Sequence, residues 1–275
     1  MRAAIGLAGR YALLLAVLAI TVGPLLWQLT TALKGPGEDV YGDNASWWPQ
    51  DLTFGNFVKI AESVPIASYV TNSVVVAVLA IGSNLVFASF GGYMLSRPGW
   101  SGRRAVFLLL VVAMMFPFES IMISLFLSIR DMGLVDTLAG AWLPGIAGAF
   151  NVLIMRAAFL AVPSEVEDAA LMEGAGEWTR FRRVFLPSAK GAMTVVAINS
   201  FIAAWDDFLW PLIVLRSEEN FTLTLGLARL STSSFGVDDK LVMTGSMISV
   251  IPVVVLFFLA QRWFYRGVES GAVKM

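Results

Sequence analysis

Six long apolar segments decide what this chain can become. They cover about residues 11–33, 68–95, 105–129, 137–160, 192–215 and 241–265. Each reaches the roughly 20 apolar residues that a helix needs to cross a bilayer core. In hydrocarbon every backbone N–H and C=O must find its partner inside the protein, so such segments are expected as helices. The fold class that follows is all-α integral membrane, with six transmembrane helices in a single domain over 1–275. The composition agrees, because 57% hydrophobic and 14% charged residues are too apolar for an ordinary soluble domain. The first segment is longer than the roughly 7–15 residues of a signal-peptide core and no A-x-A site follows it, so it reads as a retained helix. Pro24, Pro117, Pro144, Pro211 and Pro252 fall inside five of the six segments and are expected to bend them.

Six crossings put both termini on one side, together with the loops 96–104 and 161–190. That side carries Arg2, Arg10, Arg97, Arg103, Arg104, Arg156, Arg180, Arg182, Arg183, Lys190, Arg262, Arg266 and Lys274. The other carries Lys34, Lys59, Arg130, Arg216, Arg229 and Lys240. Thirteen cations against six predict cytoplasmic termini in a multi-pass plasma-membrane protein. The outward segments 35–64 and 216–240 hold Trp47, Trp48, Glu218, Glu219, Asp238 and Asp239, which suits solvated loops that could meet an external protein.

Much chemistry is excluded. The chain has no cysteine and no histidine, so thiol nucleophiles, disulfides, zinc clusters and imidazole acid/base catalysis are absent, and no metal site is expected. None of the five lysines follows a glycine, which removes the phosphate-cradling G-x-x-x-x-G-K-[ST] loop. The chain is expected to be a non-catalytic subunit with no cofactor of its own.

Against this apolar background, the polar stretch 164–187 stands apart. Ser164 and Glu167 have capping-box spacing, predicting a short helix from Ser164 to the Gly174/Gly176 pair. A second helix is predicted from Glu177 to Pro187, with Trp178, Phe181 and Phe185 on one face and Arg180, Arg182 and Arg183 on others. A helix-turn-helix outside the bilayer with one apolar face is expected to dock on another protein.

The same stretch resembles the E-A-A-x-x-x-G-x9-I-x-L-P loop of binding-protein-dependent ABC importer permeases. Asp168-Ala169-Ala170 is followed by Gly174, then nine residues to Val184 and on to Leu186-Pro187, with Asp168 and Val184 replacing the usual glutamate and isoleucine. The order Thr53-Phe54-Gly55-Asn56-Phe57, Thr71-Asn72-Ser73, Met114-Met115-Phe116-Pro117, Ala203-Ala204-Trp205-Asp206-Asp207-Phe208 and the tail from Gln261 to Lys274 is similar to the carbohydrate-type, MalG-like members. The resemblance implies the type I ABC importer permease fold with a cytoplasmic coupling helix. It also implies a bacterial inner-membrane location and four kinds of company: a second, MalF-like permease, two cytoplasmic ATPases holding ATP and Mg, an extracytoplasmic solute-binding protein and membrane lipid, but no nucleic acid. The coupling residues it marks are Glu167, Asp168, Ala169, Ala170, Gly174, Trp178, Phe181, Leu186 and Pro187.

For the solute, the candidates are Glu119, Trp205, Asp206 and Asp207. Carboxylates within the apolar segments are functional suspects, and tryptophan faces stack on sugar rings. Asp206 and Asp207 stand about 100° apart on a helix, so one at most aims at a central cavity. With no cation deep in a segment, a neutral oligosaccharide, glycoside or amino sugar is favoured over the solute of a glycerol-phosphate-type importer. The rival readings are a secondary transporter or channel, an intramembrane hydrolase using a carboxylate pair, and a scaffold. The first leaves the 164–187 loop unexplained, the second needs two acids that no sequence feature brings together, and the third does not predict the pattern of segments.

Overall fold

In the computed structural model, which describes residues 2–231 and 238–272, the chain is almost wholly helical, and one isolated bridge, Lys34 to Leu52, interrupts the pattern. The side chains of Arg2, Arg262, Arg266 and Lys274, with most of the tail motif, lie outside the described residues. In chain order the helices are α1 (Arg2–Ala32), α2 (Gly55–Ser63), α3 (Ile66–Ser96), α4 (Arg103–Ala113), α5 (Phe118–Asp131), α6 (Leu138–Trp142) and α7 (Ala149–Leu160). There follow α8 (Ser164–Met172), α9 (Glu177–Ser188), α10 (Lys190–Trp205), α11 (Leu209–Val214), α12 (Leu223–Ser231) and α13 (Asp239–Ala272).

By length and composition, three of these can cross a membrane unaided: the Gly9–Ala32 part of α1, α3, and the Asp239–Gln261 part of α13. Three further pairs qualify as broken crossings, bent by 103° between α4 and α5, by 46° between Leu138–Gly145 and α7, and by 75° between α9 and α10. The first two bends interrupt the apolar runs expected over 105–129 and 137–160, and the run expected over 192–215 is interrupted at Asp206–Phe208, between α10 and α11. Proline chemistry accounts for much of this. Pro117 has no N–H to donate, and its extended backbone (ψ 138°) starts α5 afresh. Pro144 sits in a tight 3-10 turn and Pro211 in the first turn of α11, whereas Pro24 and Pro252 remain inside continuous helices. α10 has 16 residues, or roughly 24 Å at about 1.5 Å per residue, and stops at Asp206.

Contacts divide the chain into two compact groups, residues 1–67 with 226–252, and residues 68–225 with 253–275. In the first, Asn56 Nδ2 donates to the carbonyls of Ala32 and Lys34, each at 2.9 Å, closing the C-terminal end of α1. Glu38 gathers the backbone N–H groups of Gly35, Gln50 and Asp51. Burial pushes its carboxyl upward, but these donors outweigh it and the net shift is down.

In the second group, Asn72 Nδ2 donates to the carbonyls of Glu219 and Phe221, and the Ser73 hydroxyl accepts from Leu223 N. Through these bonds the Thr71-Asn72-Ser73 segment holds the chain between α11 and α12. The core joins α3, α7 and α9. Tyr93 lies 5.9 Å from Phe159, 5.0 Å from Phe181 and 5.2 Å from Phe185, ring centre to ring centre. Where α3 meets α7, a Cβ on Gly92 would stand 2.7 Å from Met155 Cβ and from Arg156 N, so the approach requires glycine.

Candidate functional site

Two regions hold the residues singled out from the sequence. The first is the α8–α9 loop. Ser164 is the first residue of α8 and Pro163 precedes it as the cap, with no side-chain bond to the free N–H groups. The capping box is thus not formed. Glu167 does something else: its two oxygens accept from Arg97 Nη1 at 2.5 Å and from Arg180 Nη1 at 2.7 Å. Arg180 also reaches Glu177 at 2.9 Å, and Tyr93 donates its hydroxyl to Glu177 at 2.5 Å.

At the end of α8, Gly174 makes the turn that closes the helix. Gly174 N donates to Leu171 O and Ala175 N to Ala170 O, each at 2.9 Å, with Gly174 at φ +76°. This is the paired cap in which a left-handed residue satisfies the last helical carbonyls. Gly176, at φ −68°, is in an ordinary conformation.

The apolar stripe of the second helix is redistributed. α9 contains a π-helical stretch, Phe181–Phe185, and does not stop at Pro187 but runs on to Ser188. Phe181 and Phe185 are 4% and 1% exposed, packed into this chain's own core, and Leu186 lies against the same cluster. Phe181 and Phe185 therefore have almost no surface to offer a partner, and Leu186 is half-buried. Trp178 stays 60% exposed, stacked on Phe90 at 6.1 Å. Asp168, Ala169 and Pro187 are exposed and Ala170 half-buried. Val166, Leu171 and Met172, which the spacing of the loop motif does not single out, are exposed as well. Met172 is 89% exposed, on a short helix far too polar to sit in lipid.

The second region is a cavity of about 370 Å³ among α3, the α6–α7 bend and the junction of α10 with α11. Its polar wall is a chain of amides. Asn84 Nδ2 donates to Gly145 O at 2.7 Å, and Asn84 Oδ1 accepts from Gly148 N at 2.8 Å and Asn151 Nδ2 at 2.9 Å. Asn151 donates onward to Ser200 Oγ at 3.1 Å, and its Oδ1 accepts from Asn199 Nδ2 at 2.9 Å. Among the described residues, Asp207 is the one ionisable group of the lining, and its Oδ1 accepts from Trp210 N at 3.3 Å. Phe118, Trp142 and Trp210 supply aromatic wall.

Of the four solute candidates, the structure brings only Asp207 to this cavity. Glu119 is exposed in the first turn of α5, Asp206 is exposed at the end of α10, and Trp205 is buried against Phe201, 5.3 Å away and nearly parallel. A search of the sequence for ionisable groups alone misses the amides. A neutral asparagine in the middle of an apolar helix is also costly unless paired, and that signal is present at Asn84, Asn151 and Asn199.

Unbroken and bent crossings, a capped polar loop and an amide-lined cavity describe a membrane transport subunit. The chain belongs to the family described as binding-protein-dependent transport system inner membrane component, whose model matches residues 84–270. It is thus the permease component of an ABC importer, a multi-pass inner-membrane protein without a catalytic site of its own. Among named relatives, it is 36% identical over 258 residues to the arabinooligosaccharides transport system permease protein AraQ of Halalkalibacterium halodurans, covering 93% of this chain and 92% of that one. It is 33% identical to the diacetylchitobiose uptake system permease protein DasC of Streptomyces coelicolor, covering 92% of each. In structure it is similar to a chain of a bacterial ABC transporter involved in the import of the acidic polysaccharide alginate, with a TM-score of 0.84, 24% identity, and coverage of 96% of this chain and 98% of that one. That likeness establishes the type I permease fold.

Proposed function

We propose that this permease moves a neutral or amino-bearing oligosaccharide into the cell, paired with a second, MalF-like permease and driven by two cytoplasmic ATPases that hold ATP and Mg. The observation that carries the solute class is the cavity lining: aromatic faces for sugar rings, amides and one carboxylate to accept hydroxyl or ammonium protons, and no cation among the described residues. The names of the relatives, which concern arabinooligosaccharides and diacetylchitobiose, support the same class. A glycerol-phosphate-type solute lacks the arginine or lysine that its phosphate would need here.

Termini and the α8–α9 loop face the cytoplasm in this reading, on the strength of the cation excess around them. The ATPase is met by the outward face of α8 and its neighbours: Asp168, Ala169, Ala170, Met172, Gly174 and Trp178. Pro187, exposed near the end of α9, borders that face.

The test is co-expression with the genomic neighbours, purification by a tag on this chain, and ATP hydrolysis in nanodiscs with binding proteins loaded with neutral, amino-bearing or uronate oligosaccharides. A copurifying ATPase stimulated by a neutral or amino sugar is expected. Stimulation confined to uronates would overturn the solute class, and a chain that purifies alone with no nucleotide dependence would overturn the coupling.

A further inference from the structure

Glu167 adjoins the docking face in sequence, but its geometry points inward. Its side chain is 24% exposed, against 12% for both Arg97 and Arg180. One carboxylate oxygen is engaged by each arginine, and the two arginines lie on different elements: Arg97 follows the last turn of α3 and Arg180 belongs to α9. The guanidinium of Arg97 is itself fixed, lying 4.1 Å from the Phe185 ring centre and 5.1 Å from that of Tyr93, with Nε donating to Ser96 Oγ at 3.2 Å. Glu177, paired with Arg180 within α9, adds a second tie between α9 and α3 by accepting the Tyr93 hydroxyl. Three segments that are separate in sequence are therefore joined by half-buried charge-assisted bonds, which are stronger than their exposed counterparts.

From these contacts we infer that Glu167 is a positioning residue, a strut that makes α8 move as one body with α3, while Asp168 beside it is left for the ATPase. The consequence for transport lies along α3. That helix carries Asn84, whose amide holds Gly145, Gly148 and Asn151 at the cavity. A displacement imposed on α8 is then delivered through Glu167 and Arg97 to α3, and through Asn84 to the cavity wall. The route is a chain of packed and hydrogen-bonded groups and not an open loop that could absorb the motion. This inference rests on the coupling proposed above.

The test uses the assembled complex and the variants Glu167→Gln, Arg97→Gln, their double, and Asp168→Asn. Three quantities are read: ATPase retained on the tagged permease, ATP hydrolysis with loaded binding protein, and solute moved per ATP in proteoliposomes. Glu167→Gln is expected to keep the ATPase bound while solute moved per ATP falls about tenfold, the scale of one lost charged hydrogen bond. The double variant should be no worse than the poorer single, because both remove one link. Asp168→Asn should instead weaken ATPase retention. Loss of the ATPase in Glu167→Gln, unchanged solute per ATP, or multiplying effects in the double would each overturn the strut. Wild type without a bound ATPase would instead remove the coupling reading and the strut with it. Should Glu167→Gln fail to reach the membrane, Arg97→Lys replaces it, keeping the charge but losing the planar fork.

Discussion

Single residues carry two kinds of information in this chain, and Gly174 separates them. A glycine in a docking loop can be required for close approach to a partner or for its backbone conformation. Within this chain a Cβ at Gly174 would meet nothing within 4 Å, yet φ is +76° and the last carbonyls of α8 depend on that turn. Asparagine tolerates this region and valine does not. Gly174→Asn is therefore expected to keep at least about half of the solute-stimulated ATP hydrolysis, and Gly174→Val to lose about tenfold, a strain cost of roughly 1–2 kcal/mol. Equal loss in both variants, measured on the purified complex, would assign the glycine to partner contact instead. The spacing Asp168-Ala169-Ala170 to Gly174 exposed this position in the sequence. It could not distinguish Glu167 from Asp168, because adjacent acids differ only in where a helix turns them.

At the scale of elements, turns bind the structure where apolar runs give no instruction. Asp136, between α5 and α6, is held at φ +60° and accepts from Arg216 N and Ser217 N at 2.9 Å each and from the Ser217 hydroxyl, while its own N–H donates to Val214 O. The Ser217 hydroxyl and backbone bonds, with those of Arg216 and Asn220, keep its carboxyl well below the ordinary aspartate range despite burial. Between the native and unfolded values the unfolded chain binds more protons, so stability rises with pH there. Asp136 thus contributes fully above the unfolded value of about 3.9 and less as pH drops beneath it toward the native one. Asp136→Asn should cost about 2 kcal/mol at neutral pH. It should also flatten the decline of the thermal midpoint between about pH 5 and 3 in detergent, and an undiminished decline would remove Asp136 as its source.

Helical class, both ends of α3, the last residue of α1 and the first of α13 follow apolar length to within about two residues, whereas α1 begins at Arg2 and α13 runs on to Ala272, well outside the apolar runs. The bends at Pro117 and by Pro144 were expected from the prolines, but their size was not, since hydropathy records burial without direction. Nor could the stripe on α9 announce its own partner. Phe181 and Phe185 look the same in sequence whether they meet a foreign groove or Tyr93.

For the whole molecule, the cavity shows what was readable and what was hidden. Asp207 was found by charge, whereas Asn84, Asn151, Asn199 and Ser200 come together from three helices and form a network only in the fold. That network is built wholly of groups that neither gain nor lose protons near neutral pH. In sealed vesicles containing the assembled importer, an imposed pH gradient is expected to decay no faster than about twice the rate in protein-free vesicles, followed with a trapped pH-sensitive dye. Rapid collapse would favour the ion-coupled transporter. On the proposed sugar path, a lining of amides in place of ionic relays lets a cell admit its solute without short-circuiting the proton-motive force that charges its membrane.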